Sequence, residues 1–359
     1  MLPIQVTEPF LPDIKEYQAL LAGIWERNWL TNQGPLVCEL EKNLRIYLQV
    51  SSPVHCVANG GLGLQIILKA LGVSGEVITT PFSYVATTSA PLWEGCSVIF
   101  ADIDPLSLTI DPKAVEAAIT RRTQAILATH VFGNPCDVEA LAAIADKHGL
   151  ALIYDAAHAF GVRYKGKSIL EYGDASLVST HATKLFHTVE GGFVVAKDTE
   201  VSEKVEWMRR FGHAGPEQFK GIGMNAKMSE LHAAMGLSVM NHLPEILSGR
   251  RRVVEHYQSI LDEKEGVSSA ITLRDHCEWN YAYFPVVFDS EELLLRVMDR
   301  LKKNEIYARR YFYPSLDSLD FVGAPKNCPQ SLSVSTRIAC LPLNPNLKEE
   351  AIEKIVSCI

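Results

Sequence analysis

Residues 125–155 read AILATHVFGNPCDVEALAAIADKHGLALIYD, and their pattern decides the fold. A β-rich apolar run at 125–131 (AILATHV) gives way to an amphipathic helical pattern at 138–148 (VEALAAIADKH), then to a second apolar run at 151–155 (ALIYD). Strand, helix and strand in that order form a βαβ unit, whose right-handed crossover lays the strands side by side and parallel. The alternation continues outward in both directions. Upstream lie 76–81 (EVITTP), 97–102 (SVIFAD) and the helical 112–119 (PKAVEAAI); downstream lie 175–179 (ASLVS) and 192–196 (GFVVA). The fold class is α/β: a large domain with a mostly parallel central sheet flanked by helices.

At 359 residues the chain exceeds one ordinary compact core, so a second domain is expected. A helical pattern runs from Met228 to Glu263 and is interrupted at Pro244, which places the junction near residue 245. Residues 1–245 then form an N-terminal arm and the large domain, and 246–359 a smaller α+β domain. The latter contains a strand within 279–288 (WNYAYFPVVF), a helix in 291–304 and a tyrosine-rich loop at 309–314. The arm before residue 55 reads as helices joined by the turn-rich LTNQGPL. A net charge of −8 offers no basic surface for nucleic acid or an anionic membrane. No apolar run reaches the length of a membrane span, and the opening residues lack the basic start and apolar stretch of a secretion signal. The eight cysteines are scattered singly, without metal-site spacing, and read as reduced cytoplasmic residues, mostly core.

In a parallel α/β sheet, ligands bind at the carboxyl ends of the strands. Three segments sit there: 80–84 (TPFSY), 155–158 (DAAH) and 179–184 (STHATK). Lys184, in THATKLFHTVEGG, lies among small and polar residues and could form a Schiff base with an aldehyde cofactor, although a surface role is open to any lysine. Asp155 ends the strand ALIYD, where a carboxylate must be partnered or functional. It could pair with the protonated ring nitrogen of pyridoxal phosphate, or cap a helix. Asn59-Gly60-Gly61-Leu62-Gly63 opens a helical pattern whose amides could hold a phosphate. The same string could announce a nicotinamide-binding fold, but a GxGxxG turn and a ribose-binding acid downstream are not clearly present. Tyr84 could stack on a flat cofactor, His158 could reach its phenolic oxygen and Ser179 could donate to its phosphate; each also reads as an ordinary satisfied residue.

With these pieces in view, the chain resembles the DegT/StrS-type sugar aminotransferases, a branch of the fold-type I pyridoxal-phosphate enzymes. The similarity runs nearly end to end through WLTNQGPLVCELE, ANGGLGLQ, EVITTPFSYVATTSA, WEGCSVIFADIDP, HVFGNPCDV, YDAAHAFG, STHATKLFHTVEGG, GMNAKMSELHAAMG and ARRYFYP. The resemblance implies pyridoxal 5'-phosphate bound to Lys184, cycling through pyridoxamine phosphate, with Lys184 also shuttling the proton. It implies Asp155 as partner of the pyridine nitrogen, His158 at the phenolic oxygen, Tyr84 on the ring, and Gly60, Gly61 and Ser179 at the phosphate. Asn225, in GMNAKM, is implied to reach the phosphate site of a neighbouring subunit, giving a homodimer with shared active sites. The implied partners are L-glutamate as amino donor and a nucleotide-linked keto-sugar, with neither nucleic acid nor membrane.

The chain departs from the family pattern at Gly61, where threonine is usual, at Lys227, where arginine is common, and at His232, where glutamine is common. A dehydratase branch carries histidine in place of the Schiff-base lysine; Lys184 separates the chain from it despite nearby His181 and His187. A nicotinamide-dependent nucleotide-sugar enzyme would need a Tyr-xxx-Lys pair, and a cofactor-binding regulator a basic DNA-binding module; neither stands out. MLPIQVTEPFLP, WLTNQGPL and ARRYFYP look most like the viosamine-forming 4-aminotransferases, which act on dTDP-4-keto-6-deoxyglucose. A 3-aminotransferase is the near alternative. Arg309, Tyr311 and Tyr313 are expected to meet the sugar or its pyrophosphate, where arginine would offer paired donors.

Overall fold

The structure, a computed structural model, describes residues 3–261, 264–324 and 327–359. Its frame is a seven-stranded sheet formed by β1 (Val54–Val57), β2 (Glu76–Thr79), β3 (Ser97–Phe100), β4 (Thr123–Thr129), β5 (Ala151–Asp155), β6 (Ala175–Ser179) and β7 (Gly192–Ala196). The spatial order is β1-β7-β6-β5-β4-β2-β3. Every neighbouring pair is parallel except those made by β7, which runs antiparallel to both β1 and β6. Strands β2, β4, β5 and β7 have almost wholly buried residues, as expected of a sheet covered by helices on both faces.

The expected strands form, those at 151–155, 175–179 and 192–196 with the expected bounds and the other three with shifted or shortened ends. The run at 76–81 stops at Thr79, ahead of Pro81, which has no amide to add to the ladder. The run at 125–131 begins two residues earlier and stops at Thr129, because the chain turns at Val131–Gly133 with Phe132 at φ 54°. β1 carries no alternating pattern in its four residues, VHCV, all of them buried.

The helix α1 (Gly60–Ala70) shows why sequence and fold agree beside the site. Asn59 caps it by accepting from the Leu62 amide at 2.9 Å. Gly63 then presses against the sheet, where an added Cβ would lie 2.3 Å from Leu177 Cδ1. In the N-terminal arm, the helices Ile14–Arg27 and Pro35–Leu48 flank LTNQGPL. The fully buried Glu230 carboxylate caps the second by accepting from Leu36 and Val37 amides at 3.0 and 2.9 Å.

The expected long helical pattern divides into Glu230–Met240 and Leu243–Leu261, with Pro244 in the first turn of the second, where its missing amide costs nothing. Asp262 and Glu263, the end of that pattern, lie outside the described residues. Beyond it, Val267–Ser269, Phe284–Phe288 and Ile338–Leu341 make a three-stranded antiparallel sheet with its own apolar cluster. Within the expected strand at 279–288, only Phe284–Phe288 is extended, since Tyr281 takes φ 53° and Asn280 bonds elsewhere. Tyr283, Phe312 and Cys340 belong instead to the main core, so the carboxyl-terminal third reaches into the large sheet's loop end. All eight cysteines are free thiols, and no helix among the described residues is long and apolar enough to cross a membrane.

Candidate active site

A cavity of about 270 Å³ opens at the carboxyl ends of the parallel strands. β5 delivers Asp155 as its last residue, 5% exposed, and β6 delivers Ser179. The connection after β6 carries Lys184, α1 presents Gly60 and Gly61, and the loop after β2 brings Tyr84.

Asp155 accepts one hydrogen bond on each carboxylate oxygen. Its Oδ2 accepts from the Thr87 hydroxyl at 2.8 Å and its Oδ1 from the Ala157 amide at 3.0 Å. Burial pushes its pKa up, while these two donors and, more weakly, Lys184 pull it down. Behind Thr87 runs a chain of hydroxyls: Ser83 lies 2.8 Å from Thr87 and 3.1 Å from Thr129. A buried carboxylate with this support still has room for a cationic N–H partner.

Lys184 donates from Nζ to the Tyr283 hydroxyl at 3.0 Å. Burial lowers its pKa, against the opposing pull of Asp155, Tyr311 and Tyr84. A desolvated amine of this kind is readier to act as nucleophile and base than a surface lysine. His158 accepts from the Phe132 amide at Nδ1, 3.1 Å away, so the ring proton sits on Nε2 and that nitrogen is a donor. Burial, then the charge of Lys184, hold its pKa well below the usual histidine range and keep the ring neutral. The imidazole lies parallel to Phe312, with centroids 5.6 Å apart and planes 3° apart.

At the amino end of α1 the Gly60 and Gly61 amides have no intrahelical acceptors. An added Cβ on Gly61 would meet only Asn59 Oδ1, at 3.5 Å, so the amides are approachable from the cavity. Ser179 adds a hydroxyl beside them, and its Oγ accepts from the His181 amide at 3.4 Å. Tyr84 stands at the rim, 56% exposed, where a ring is free to cover a flat ligand.

Arg309 and Tyr311 also line the cavity, with the Arg309 guanidinium 5.1 Å from the Tyr311 ring centre. Two of the expected site residues are not brought there. Tyr313 is half-exposed and packs on the Arg310 guanidinium at 3.5 Å, and Arg310 in turn bonds Glu291 at 2.7 Å. Asn225 is exposed, pairs with Arg210 in an isolated bridge and accepts from Lys227 Nζ, away from the chain's own cavity. Sequence reading passed over Thr87 and Thr129 and gave Ser83 no role beyond its place after a strand; Ser83 and Thr87 lie in the hydroxyl-rich PFSYVATT, whereas Thr129 lies inside an apolar run. It also passed over Tyr283, Trp279 and Asn280, absorbed into an expected strand.

These groups suit pyridoxal 5'-phosphate: an ionisable carboxylate with spare acceptor capacity, a lysine amine lining the same cavity, a neutral imidazole N–H donor, and unsatisfied helix amides for the phosphate. On a parallel α/β frame, that combination defines a pyridoxal-phosphate-dependent enzyme. Comparison with known proteins narrows the class. Residues 13–359 match the DegT/DnrJ/EryC1/StrS aminotransferase family, and the chain belongs to that family. It is 41% identical to the dTDP-4-amino-4,6-dideoxy-D-glucose transaminase of Shigella dysenteriae, over 99% of this chain and 98% of that one. The transaminase of the same description from Escherichia coli is 36% identical over the same shares. Among solved structures, DesI in the presence of its TDP-sugar product superposes with a TM-score of 0.93 at 34% identity, covering 100% of this chain and 92% of that one.

Proposed function

We propose that the protein transfers the amino group of L-glutamate to C4 of dTDP-4-keto-6-deoxy-D-glucose, giving the 4-amino-4,6-dideoxy sugar. The observation that carries the chemistry is the convergence of Lys184, Asp155 and the amino end of α1 on one cavity. The choice of sugar rests on the two transaminase relatives, each covered almost end to end. When bound, the cofactor would supply an electron sink that lets the carbon bearing the nitrogen give up its proton. Asp155 would hold the ring nitrogen protonated, and the Thr87 and Ala157 donors fix its carboxylate for that task. His158 Nε2 would donate to the phenolic oxygen, Ser179 and the Gly60 and Gly61 amides would receive the phosphate, and Tyr84 would cover the ring. Lys184 Nζ would accept and hand back the proton, a task that its burial-lowered pKa favours.

Glutamate and the sugar use the cavity in turn, as a ping-pong exchange requires. Arg309, with its planar donor fork, and Tyr311 stand where the anionic part of either substrate would approach. In this reading residues 1–245 and 246–359 act as two domains around the cavity, the second supplying Tyr283, Arg309 and Tyr311. The active form is a cytoplasmic homodimer in which Asn225 of each subunit serves the phosphate site of the other. The test is to incubate the purified holoenzyme with glutamate and a panel of nucleotide-linked 3-keto and 4-keto sugars and assign the products by NMR. An amine at C4 of the dTDP-linked gluco sugar is the expected result. Amination at C3 alone would overturn the substrate assignment and leave the aminotransferase reading standing.

A further inference from the structure

The segment 279–283 crosses from the carboxyl-terminal third into the main core and ties down three parts of the site. Trp279 Nε1 donates to the Phe132 carbonyl at 2.8 Å, and Asn280 Nδ2 donates to the His158 and Phe160 carbonyls, each at 2.9 Å. Three residues on, the Tyr283 hydroxyl accepts from Lys184 Nζ at 3.0 Å. Tyr283 is 5% exposed and boxed by rings: its centroid lies 4.6 Å from His158, 5.7 Å from Phe132 and 5.7 Å from Tyr311. A phenol so enclosed has few places to go. Its own backbone is anchored as well, because buried Arg250 donates from Nη1 to the Tyr281 and Ala282 carbonyls at 3.3 and 3.1 Å.

We infer that Tyr283 is a positioning residue for the reaction: its hydroxyl holds the Lys184 amine, when that amine is free, at the place from which it moves the proton. The inference rests on Lys184 being the cofactor lysine. A lysine has four rotatable side-chain bonds and no rigid fork, so unaided it samples many positions. In a proton-transfer step, an ångström of misplacement is costly. Other cavity groups do not do this work in the structure. The hydrogen bonds of Asp155 run to Thr87 and Ala157 and that of His158 to Phe132, and Tyr84 stands at the exposed rim. Burial raises the Tyr283 pKa, with Cys340 and Asp155 adding to the rise and Arg250 and Arg309 opposing it, so the phenol remains neutral at working pH. The groups facing Lys184 are Asp155, Tyr311, Tyr84 and the neutral His158, with the ring of Tyr283 5.6 Å from Nζ. As an acceptor from Nζ, the phenol oxygen favours the protonated amine, which carries more N–H donors than the neutral one.

Tyr283→Phe keeps the ring in its box and removes only the oxygen. In the holoenzyme, single-turnover rates for both half-reactions should fall about tenfold or more, while KM for glutamate and for the sugar changes less than about twofold, because the loss lies in the proton transfer. In cofactor-free protein, competitive acetylation against pH with peptide mapping reads the Lys184 ionisation directly. Its midpoint should move down by about half a pH unit or more in the variant. Site-specific 3-fluorotyrosine at 283, which keeps the hydroxyl but weakens it as an acceptor, should move the midpoint the same way by less and keeps the question answerable if the Phe variant folds poorly. Unchanged rates, or reduced rates with an unmoved midpoint, would overturn the inference. Borohydride reduction of the holoenzyme followed by peptide mapping separates the two levels. Cofactor found on another lysine would remove the reading of Lys184 itself, whereas cofactor on Lys184 with an indifferent Tyr283→Phe would remove only the role given to Tyr283.

Discussion

The Asp155 carboxylate shows at a single residue how the site is tuned. Burial alone would push it towards the neutral acid, which could not balance a protonated ring nitrogen. The Thr87 hydroxyl is the first of the groups that oppose this. Thr87→Val preserves shape and burial and deletes that donor, so the Asp155 pKa rises further. Since the working form is the ionised carboxylate, activity is lost as pH falls through this pKa. The acid limb of the kcat profile should therefore move to higher pH in the variant, with rates near wild type on the alkaline side. Asp155→Asn cannot ionise and should lose about tenfold to a hundredfold at all pH values. A Thr87→Val profile superimposable on wild type would show that the hydroxyl chain through Ser83 and Thr129 is packing and nothing more.

At the scale of elements, the turn after β4 is the part most sensitive to a small change. Phe132 and Gly133 both lie at positive φ, 54° and 82°, and this turn aims the Phe132 amide at His158. A Cβ on Gly133 would lie 2.6 Å from Asn280 Oδ1, 3.1 Å from the His158 carbonyl and 3.2 Å from Trp279 Nε1. Gly133→Ala therefore adds backbone strain and a clash at the crossing of segment 279–283, a cost of about 1–3 kcal/mol. Urea unfolding should report that loss, and the cofactor absorbance should shift as His158 is displaced; a variant with wild-type stability and spectrum would refute the coupling. Such crossings explain what the sequence could and could not convey. Strands β2 to β7 and the helix Val138–His148 were legible because apolar period and turn residues are local signals. β1 was not, since four buried residues without alternation take their strand character from pairing with β7. Lys184 and Asp155 were placed by their positions after strands and by family resemblance. The Thr87–Asp155 and Lys184–Tyr283 bonds span 68 and 99 residues, and no local spacing encodes a contact made only when the sheet closes.

For the whole molecule, the question is whether one chain completes its own site. Asn225 lies outside the chain's cavity and is exposed, and the exposed apolar side chains include Phe211, Phe219 and Ile222 from the same stretch of sequence. Lys227 holds this corner together, its ammonium 4.5 Å from the Phe211 ring centre and bonded to Asn225 Oδ1. A segment that carries apolar rings and an amide outward is suited to meet a second copy across a two-fold axis, where each subunit gives what it receives. Asn225→Asp would set a carboxylate against the cofactor phosphate, and like-charge repulsion should empty the site. Lys184→Ala removes the amine instead, so each variant alone is inactive. In a hybrid dimer of the two, one site combines both defects, while the other combines an intact Lys184 with an intact Asn225 from the opposite subunit. Random subunit exchange makes half the dimers hybrid, each with one working site, so activity should recover to about one quarter of wild type. If Asn225 served its own chain, neither site of the hybrid would be whole, and verified subunit exchange would restore nothing.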